Sequence, residues 1–203
     1  MKHVSLTLVM ACTTIAFSAQ AQLKFPSVKN AIIPTATNTI RTDIQKIVAD
    51  FPNQFVRFKG DIVNQSPQRV EYLSTLLPNS AQSATITEYS YNKKPVYSWQ
   101  ALMLTTEDFE AAAKKYKALY TQVKGAYVTF NANQSYYLQG NYEAPDESKD
   151  FLSSMLNFYT RDEDIKRIKV EVNMQFEFPE WKVNLLVYSR ERDDDERGNI
   201  FDN

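Results

Sequence analysis

The chain has 203 residues, 43% of them hydrophobic and 23% charged, with four glycines and eight prolines. That balance excludes collagen-like and low-complexity chains and leaves room for one domain or two small packed ones. A formal net charge of −1 offers no bulk field for nucleic acid, and an aromatic content of 13% suits β-structure.

Residues 1–21 have the pattern of a secretory signal peptide. Lys2 supplies the positive end, residues 4–17 an apolar run, and Ala19 and Ala21 the small residues before a cleavage site. The run is too short and too interrupted by Ser and Thr for a membrane span. The chain is therefore read as exported, to the periplasm or the extracellular space. The alternative is a lipoprotein, because Val9-Met10-Ala11-Cys12 resembles a lipobox that would anchor the chain through Cys12. The only Cys, Cys12, and the only His, His3, both lie in this segment. Cleavage after Ala21 would leave a chain with no disulfide, thiol nucleophile or imidazole.

Residues 22–37, punctuated by Pro26 and Pro34, read as an N-terminal arm. A helix follows, with Asn38 as cap, Ile40, Ile44, Ile47, Val48 and Phe51 at helical spacing, and Pro52 at its end. Residues 55–63 read as a strand with Gly60 as a bulge or turn. A short apolar run over 72–77 precedes a hairpin of 84–91 with 96–104, whose Tyr97, Trp99, Ala101 and Met103 share a face. The second helix starts near Thr105 and Asp108, buries Phe109, Ala113, Tyr116, Tyr120 and Val123, and stops at Gly125. Two strands are expected over 126–130 and 135–142, and residues 151–159 suit helix or strand equally.

Residues 168–187 carry the clearest pattern. Ile168, Val170, Val172, Met174, Phe176 and Phe178 alternate with polar residues, and Trp181, Val183, Leu185 and Val187 resume the alternation after Pro179-Glu180. A two-residue turn there sets Phe178 opposite Trp181 and Phe176 opposite Val183. Residues 191–203 read as a disordered acidic tail.

The order helix, glycine-containing strand, apolar run, hairpin occurs twice. Tyr72-Leu73-Ser74-Thr75-Leu76-Leu77 is similar to Phe151-Leu152-Ser153-Ser154-Met155-Leu156, Lys59-Gly60 to Gln139-Gly140, and the segment from Pro95 to that from Pro179. This predicts an α+β fold of two tandem repeats, residues 38–104 and 105–190, each with one helix and about four mostly antiparallel strands, the helices packed on sheet. Such an arrangement broadly resembles the TATA-binding-protein-like or helix-grip class, a likeness of architecture that assigns no function.

Without His or Cys, nucleophilic triads and histidine-bearing zinc sites are excluded from the mature chain. No Walker loop or dinucleotide-binding glycine motif is present, and no metal or cofactor is called for. A carboxylate pair of glycosidase type would draw on Asp61, Glu88 and Glu171, although Glu171 belongs to a face expected to be solvated. Residues 193–198 imitate the start of a calcium loop but place Arg197 where an oxygen ligand belongs. Tyr97, Trp99 and Trp181 are the candidate ligand-binding residues, since aromatics that begin equivalent strands could form a platform for a peptide or glycan. Tyr89, Tyr91 and Tyr188 form a rival outward set. The expectation is a non-enzymatic binding or chaperone-like adaptor domain of the cell envelope, with a protein, peptide or glycan partner, no nucleic acid and no transmembrane span. A polysaccharide hydrolase using Asp and Glu, or a structural envelope subunit, is the alternative.

Overall fold

The computed structural model describes residues 39–91, 94–131 and 134–189. The inferred signal, the arm over 22–37, the cap Asn38 and the acidic tail lie outside them. The first helix, α1 (Ile40–Asp50), is capped by Thr39, whose side chain accepts a hydrogen bond from the Thr42 backbone N–H. It buries Ile40, Ile44, Ile47 and Val48 of the expected stripe, while Phe51 falls beyond its end and stays half-buried.

After α1 the expected strand is delayed. Residues Phe51–Asn53 and Val56–Phe58 form two short 3-10 turns around Gln54 and Phe55, which hold left-handed backbone at φ 60° and 56°. Non-glycine residues adopt that conformation only when their surroundings impose it. Here the fully buried Asp50 carboxylate does so, accepting from Arg57 Nε at 2.8 Å, the Arg57 backbone N–H at 3.2 Å and Asn53 Nδ2 at 3.2 Å. The turn drives Phe55 fully into the core. Its apolar residues anchor a loop, which is why they looked like part of a strand.

Four strands then run as a meander, β1 (Lys59–Ser66), β2 (Arg69–Ser74), β3 (Ser83–Tyr91) and β4 (Lys94–Thr106). Helix α2 (Phe109–Val123) follows, its cap Asp108 accepting from the Glu110 and Ala111 N–H groups. It buries Ala112, Tyr116, Leu119, Tyr120 and Val123, and Gly125 takes the left-handed position after it at φ 74°. The chain continues through β5 (Tyr127–Asn131), β6 (Gln134–Gly140), β7 (Phe151–Phe158), the short helix α3 (Glu163–Arg167), β8 (Ile168–Glu177) and β9 (Glu180–Ser189). Residues 151–158 are thus strand.

All nine strands belong to one antiparallel sheet in the order β1-β2-β3-β4-β9-β8-β7-β6-β5. This overturns the expectation of two tandem repeats, each of one helix and about four strands with the helices packed on sheet. The segments that matched by residue likeness, β4 and β9, are hydrogen-bonded neighbours from Ser98↔Tyr188 to Thr106↔Trp181 inside that one sheet. The helices are not equivalent either. The longer α2 packs on the central strands β4, β8 and β9, whereas α1 packs on the outer strand β5 and on α2. Residue likeness is local, and pairing between strands nearly ninety positions apart leaves no local trace.

The twist of such a sheet, roughly 20–25° per strand, accumulates to about half a turn over nine strands. Helix α1 packs on one of the two outer strands, β5. Its C-terminal end leads through Phe58 into β1, and its flank meets Tyr127 and Thr129 of β5.

The hairpin of β8 and β9 also differs in register from its expectation. Phe176 faces Trp181 and Met174 faces Val183, so the turn is Phe178-Pro179, joined by a cis peptide bond, and Phe178 is 89% exposed. The shift of two residues preserves the face because side chains alternate with period two. Val170, Val172, Met174, Val183, Leu185 and Val187 remain fully buried under the helices.

Two contacts fix α2 and β6 to the sheet. Tyr116 lies fully buried with its hydroxyl 2.6 Å from Ser154 Oγ, and Tyr120 OH donates to the Gly140 carbonyl at 2.7 Å. At Gly140 a side-chain Cβ would collide with the Met155 carbonyl oxygen. Gly140→Ala should therefore destabilise the protein by about 1–3 kcal/mol, as overpacking against rigid backbone does, lowering the urea midpoint at unchanged slope. Burial pushes the Tyr116 phenol up to about 12. A folded pKa above the unfolded value of ~10 favours the neutral form, so this stability is present below pH ~10 and is lost as pH rises through about 12. Tyr116→Phe should abolish the tyrosinate absorbance step near the upper end of that window and flatten the alkaline fall in stability.

Candidate functional site

The three aromatic residues singled out in the sequence do not form a platform. Trp99 is fully buried and donates from Nε1 to Ser74 Oγ at 3.0 Å. Trp181 is 5% exposed, with Phe109 edge-on at 5.2 Å and Phe176 tilted against it at 5.0 Å. Trp99 pairs with Val187, six residues along β9 from Trp181, which separates the two indoles by roughly 20 Å of strand. Both are core residues.

Tyr97 is half-buried at the margin of the helix-covered face and belongs to a different cluster. Lys59 Nζ lies 4.3 Å from the Tyr97 ring centroid and 4.8 Å from that of Tyr72, and it pairs with Glu88 Oε2 at 3.3 Å. Tyr72 OH donates to the same carboxylate oxygen at 3.3 Å. Burial, and then the Glu88 charge, raise both phenols above the ordinary tyrosine value. The two rings and the carboxylate make a cage suited to an ammonium group, and the chain's own lysine occupies it.

The opposite face of the sheet is not the solvated surface its composition suggested. Strand register sets Glu71, Thr87, Ser98, Tyr188, Lys169 and Asn157 in one row across β2, β3, β4, β9, β8 and β7. Two rows away Asn184 faces Asn173. Gln100 Nε2 donates to Asn184 Oδ1 at 3.2 Å, Asn184 Nδ2 to Asn173 Oδ1 at 3.0 Å, Asn173 Nδ2 to Glu171 Oε1 at 3.3 Å and Tyr188 OH to Glu171 Oε2 at 2.7 Å. Asn173, Asn184 and Glu171 are buried. Each link satisfies a polar group withdrawn from water. This ladder is a polar core layer, and Tyr188 of the rival outward set is one of its members. Tyr89, by contrast, is exposed on the same face beyond the ladder.

The carboxylate candidates are also kept apart. Glu88 on β3 lies on the helix-covered face and Glu171 on β8 on the other, with β4 and β9 between them. Three strand spacings give roughly 14 Å, whereas paired glycosidase carboxylates stand about 5–9.5 Å apart. Asp61 is exposed on the outer strand β1. Among the described residues no group of three or more His, Cys, Asp or Glu side chains is placed to hold a metal ion. No helix among them is long and apolar enough to cross a membrane.

Two open cavities mark the surface. One, about 430 Å³, is lined by Thr42, Gln45, Lys46, Arg57, Phe58 and Tyr127, among others, between α1 and β5. Lys46 is engaged there by Asp43 at 3.6 Å and Arg57 by Asp50. The other, about 530 Å³, lies where β7 passes through residues 159–161 and α3 into β8. Its wall carries Asn157, Tyr159, Thr160, Arg161, Lys166 and Lys169. The chain turns sharply here because Asp162 caps α3, accepting from the Asp164 and Ile165 N–H groups, while Thr160 Oγ1 accepts from the Asp162 N–H. Tyr159 is left 74% exposed. Neither cavity wall contains a carboxylate, histidine or cysteine. In the sequence, Thr160-Arg161-Asp162-Glu163-Asp164 is a charged run between two apolar segments, which is compatible with a turn but does not show the convergence of cations from α3 and β8.

Comparison with known proteins finds no matching family model, curated protein or solved structure. Burial of Trp99 and Trp181 makes a direct optical prediction. Tryptophan emission of the folded chain should be blue-shifted, little quenched by iodide and insensitive to ligands. Strong iodide quenching would return the indoles to the surface.

Proposed function

We propose that this is an exported, non-enzymatic binding module of the cell envelope, recognising a partner through its surface cavities. The observation that carries the reading is the chemistry of those cavities. They are lined by cations, hydroxyls, amides and aromatic rings, and by none of the carboxylate, imidazole or thiol groups that acid–base or nucleophilic catalysis without a cofactor requires. Such linings suit recognition, in which a few placed polar groups orient a partner and an aromatic ring supplies contact area. The distance and opposed faces of Glu88 and Glu171 weigh against the hydrolase alternative. Export rests on the leader pattern of residues 1–21 and the placement of His3 and Cys12 within it.

The test is cosedimentation of the full-length chain with the producing cell's own insoluble envelope fraction. Binding should be saturable, should release no soluble sugar or peptide with time, and should persist in Glu88→Gln and Glu171→Gln. Time-dependent product release that disappears in either variant would replace the binding module with an enzyme, and absence of saturable binding would overturn the reading outright.

A further inference from the structure

We infer that the cavity at the β7–α3–β8 corner is a binding site for an acidic sugar, a pyranose ring bearing a carboxylate; this inference rests on the binding-module reading and names its ligand class. Three cations reach the cavity from three separate pieces of chain, Arg161 from the connection, Lys166 from α3 and Lys169 from β8. Lys166 Nζ also meets Glu163 Oε1 at 2.9 Å on the exposed side of α3, and Lys169 Nζ donates to the Lys166 carbonyl at 2.9 Å, which holds the two lysines beside one another. Arg161 makes no ion pair among the described residues. A carboxylate entering the cavity meets a guanidinium able to bind it in bidentate fashion, with ammonium groups flanking it.

Charge alone would suit any anion, and two further features narrow the choice. Asn157, the register partner of Lys169, stands in the wall with its Oδ1 buried and accepting no hydrogen bond among the described residues. A buried acceptor without a donor is unfavourable, and rotation of the amide toward a ligand hydroxyl relieves it. An inorganic anion offers no ring of hydroxyl donors, whereas a sugar does. Thr160 adds a second polar contact, since its Oγ1 accepts from the Asp162 N–H and its own proton remains to donate. Finally, the exposed Tyr159 ring at the cavity wall provides the flat apolar surface on which a pyranose face packs. The volume, about 530 Å³, lies in the range of small-molecule sites rather than of a single ion.

The experiment is a backbone-amide NMR titration of the full-length chain with D-glucuronate, D-glucose and inorganic phosphate as probes. Glucuronate should shift the amides around residues 157–169 and bind about tenfold or more tightly than glucose. Arg161→Gln should bring glucuronate down to the affinity of glucose, and Tyr159→Ala should weaken both sugars, each with an unchanged melting temperature. Equal affinity for glucuronate and glucose, or phosphate binding as tight as glucuronate and indifferent to Tyr159→Ala, would overturn the acidic-sugar site. Envelope cosedimentation that survives in Arg161→Gln alongside failure of the glucuronate titration would sink this inference alone. Loss of cosedimentation in the unmodified chain would sink the binding-module reading with it.

Discussion

The architecture depends on the seam between β4 and β9. Strands β1 to β4 form one meander and β5 to β9 another, and among the described residues the two pair through Ser98–Thr106 with Trp181–Tyr188. A free edge along either strand would expose a long row of unpaired N–H and C=O groups beside apolar side chains, a template for association with other chains. Joined, the strands place Trp99 against Val187 and Ala101 against Leu185, and α2 covers that row from above. One helix thereby shields residues from both meanders.

The seam is specified from both faces. On the helix side it is apolar and insensitive to two-residue slips, as the hairpin of β8 and β9 illustrates, because a period-two pattern looks the same after such a shift. On the other side the register is read by chemistry. Gln100, Asn184, Asn173, Glu171 and Tyr188 form their chain of hydrogen bonds only when β4, β9 and β8 are aligned as they are. A slip would leave buried amides and a carboxylate without partners, at a cost of roughly 1–3 kcal/mol for each. The apolar face supplies most of the driving force for folding, and the polar layer selects the alignment.

This division explains what was legible in the sequence. Helices α1 and α2, the β3–β4 and β8–β9 hairpins and the buried parity of Trp99 and Val183 follow from side-chain periodicity, which is a local property, whereas the short α3 does not. The union of the strands into one sheet was not legible, because β4 and β9 are separated by the whole second meander. Glu171 was misjudged for the same reason. Alternation marks it as facing away from the helices, but it is buried there and bonded by Asn173 on its own strand and by Tyr188 on neighbouring β9. Asp50 was invisible too, since a carboxylate at the end of a helix gives no hint that it will hold Gln54 and Phe55 in left-handed backbone. Of the proposed aromatic site only Tyr97 lies near the surface, with Lys59 already seated against its ring.

Placement of the cavity follows from the same economy of faces. One face of the sheet is occupied by α1 and α2, and the ladder ties up the polar side chains along the centre of the other. What remains is the periphery, where strands end and the chain turns. At the end of β7 the turn is built by short-range bonds among Thr160, Asp162 and α3, which leaves Tyr159 and Arg161 directed by the loop and free of core duties. Lys169 and Asn157, in contrast, are held by the sheet register itself. Adaptable side chains on a short connection, backed by two polar groups on rigid strands, are the arrangement from which the proposed site is built.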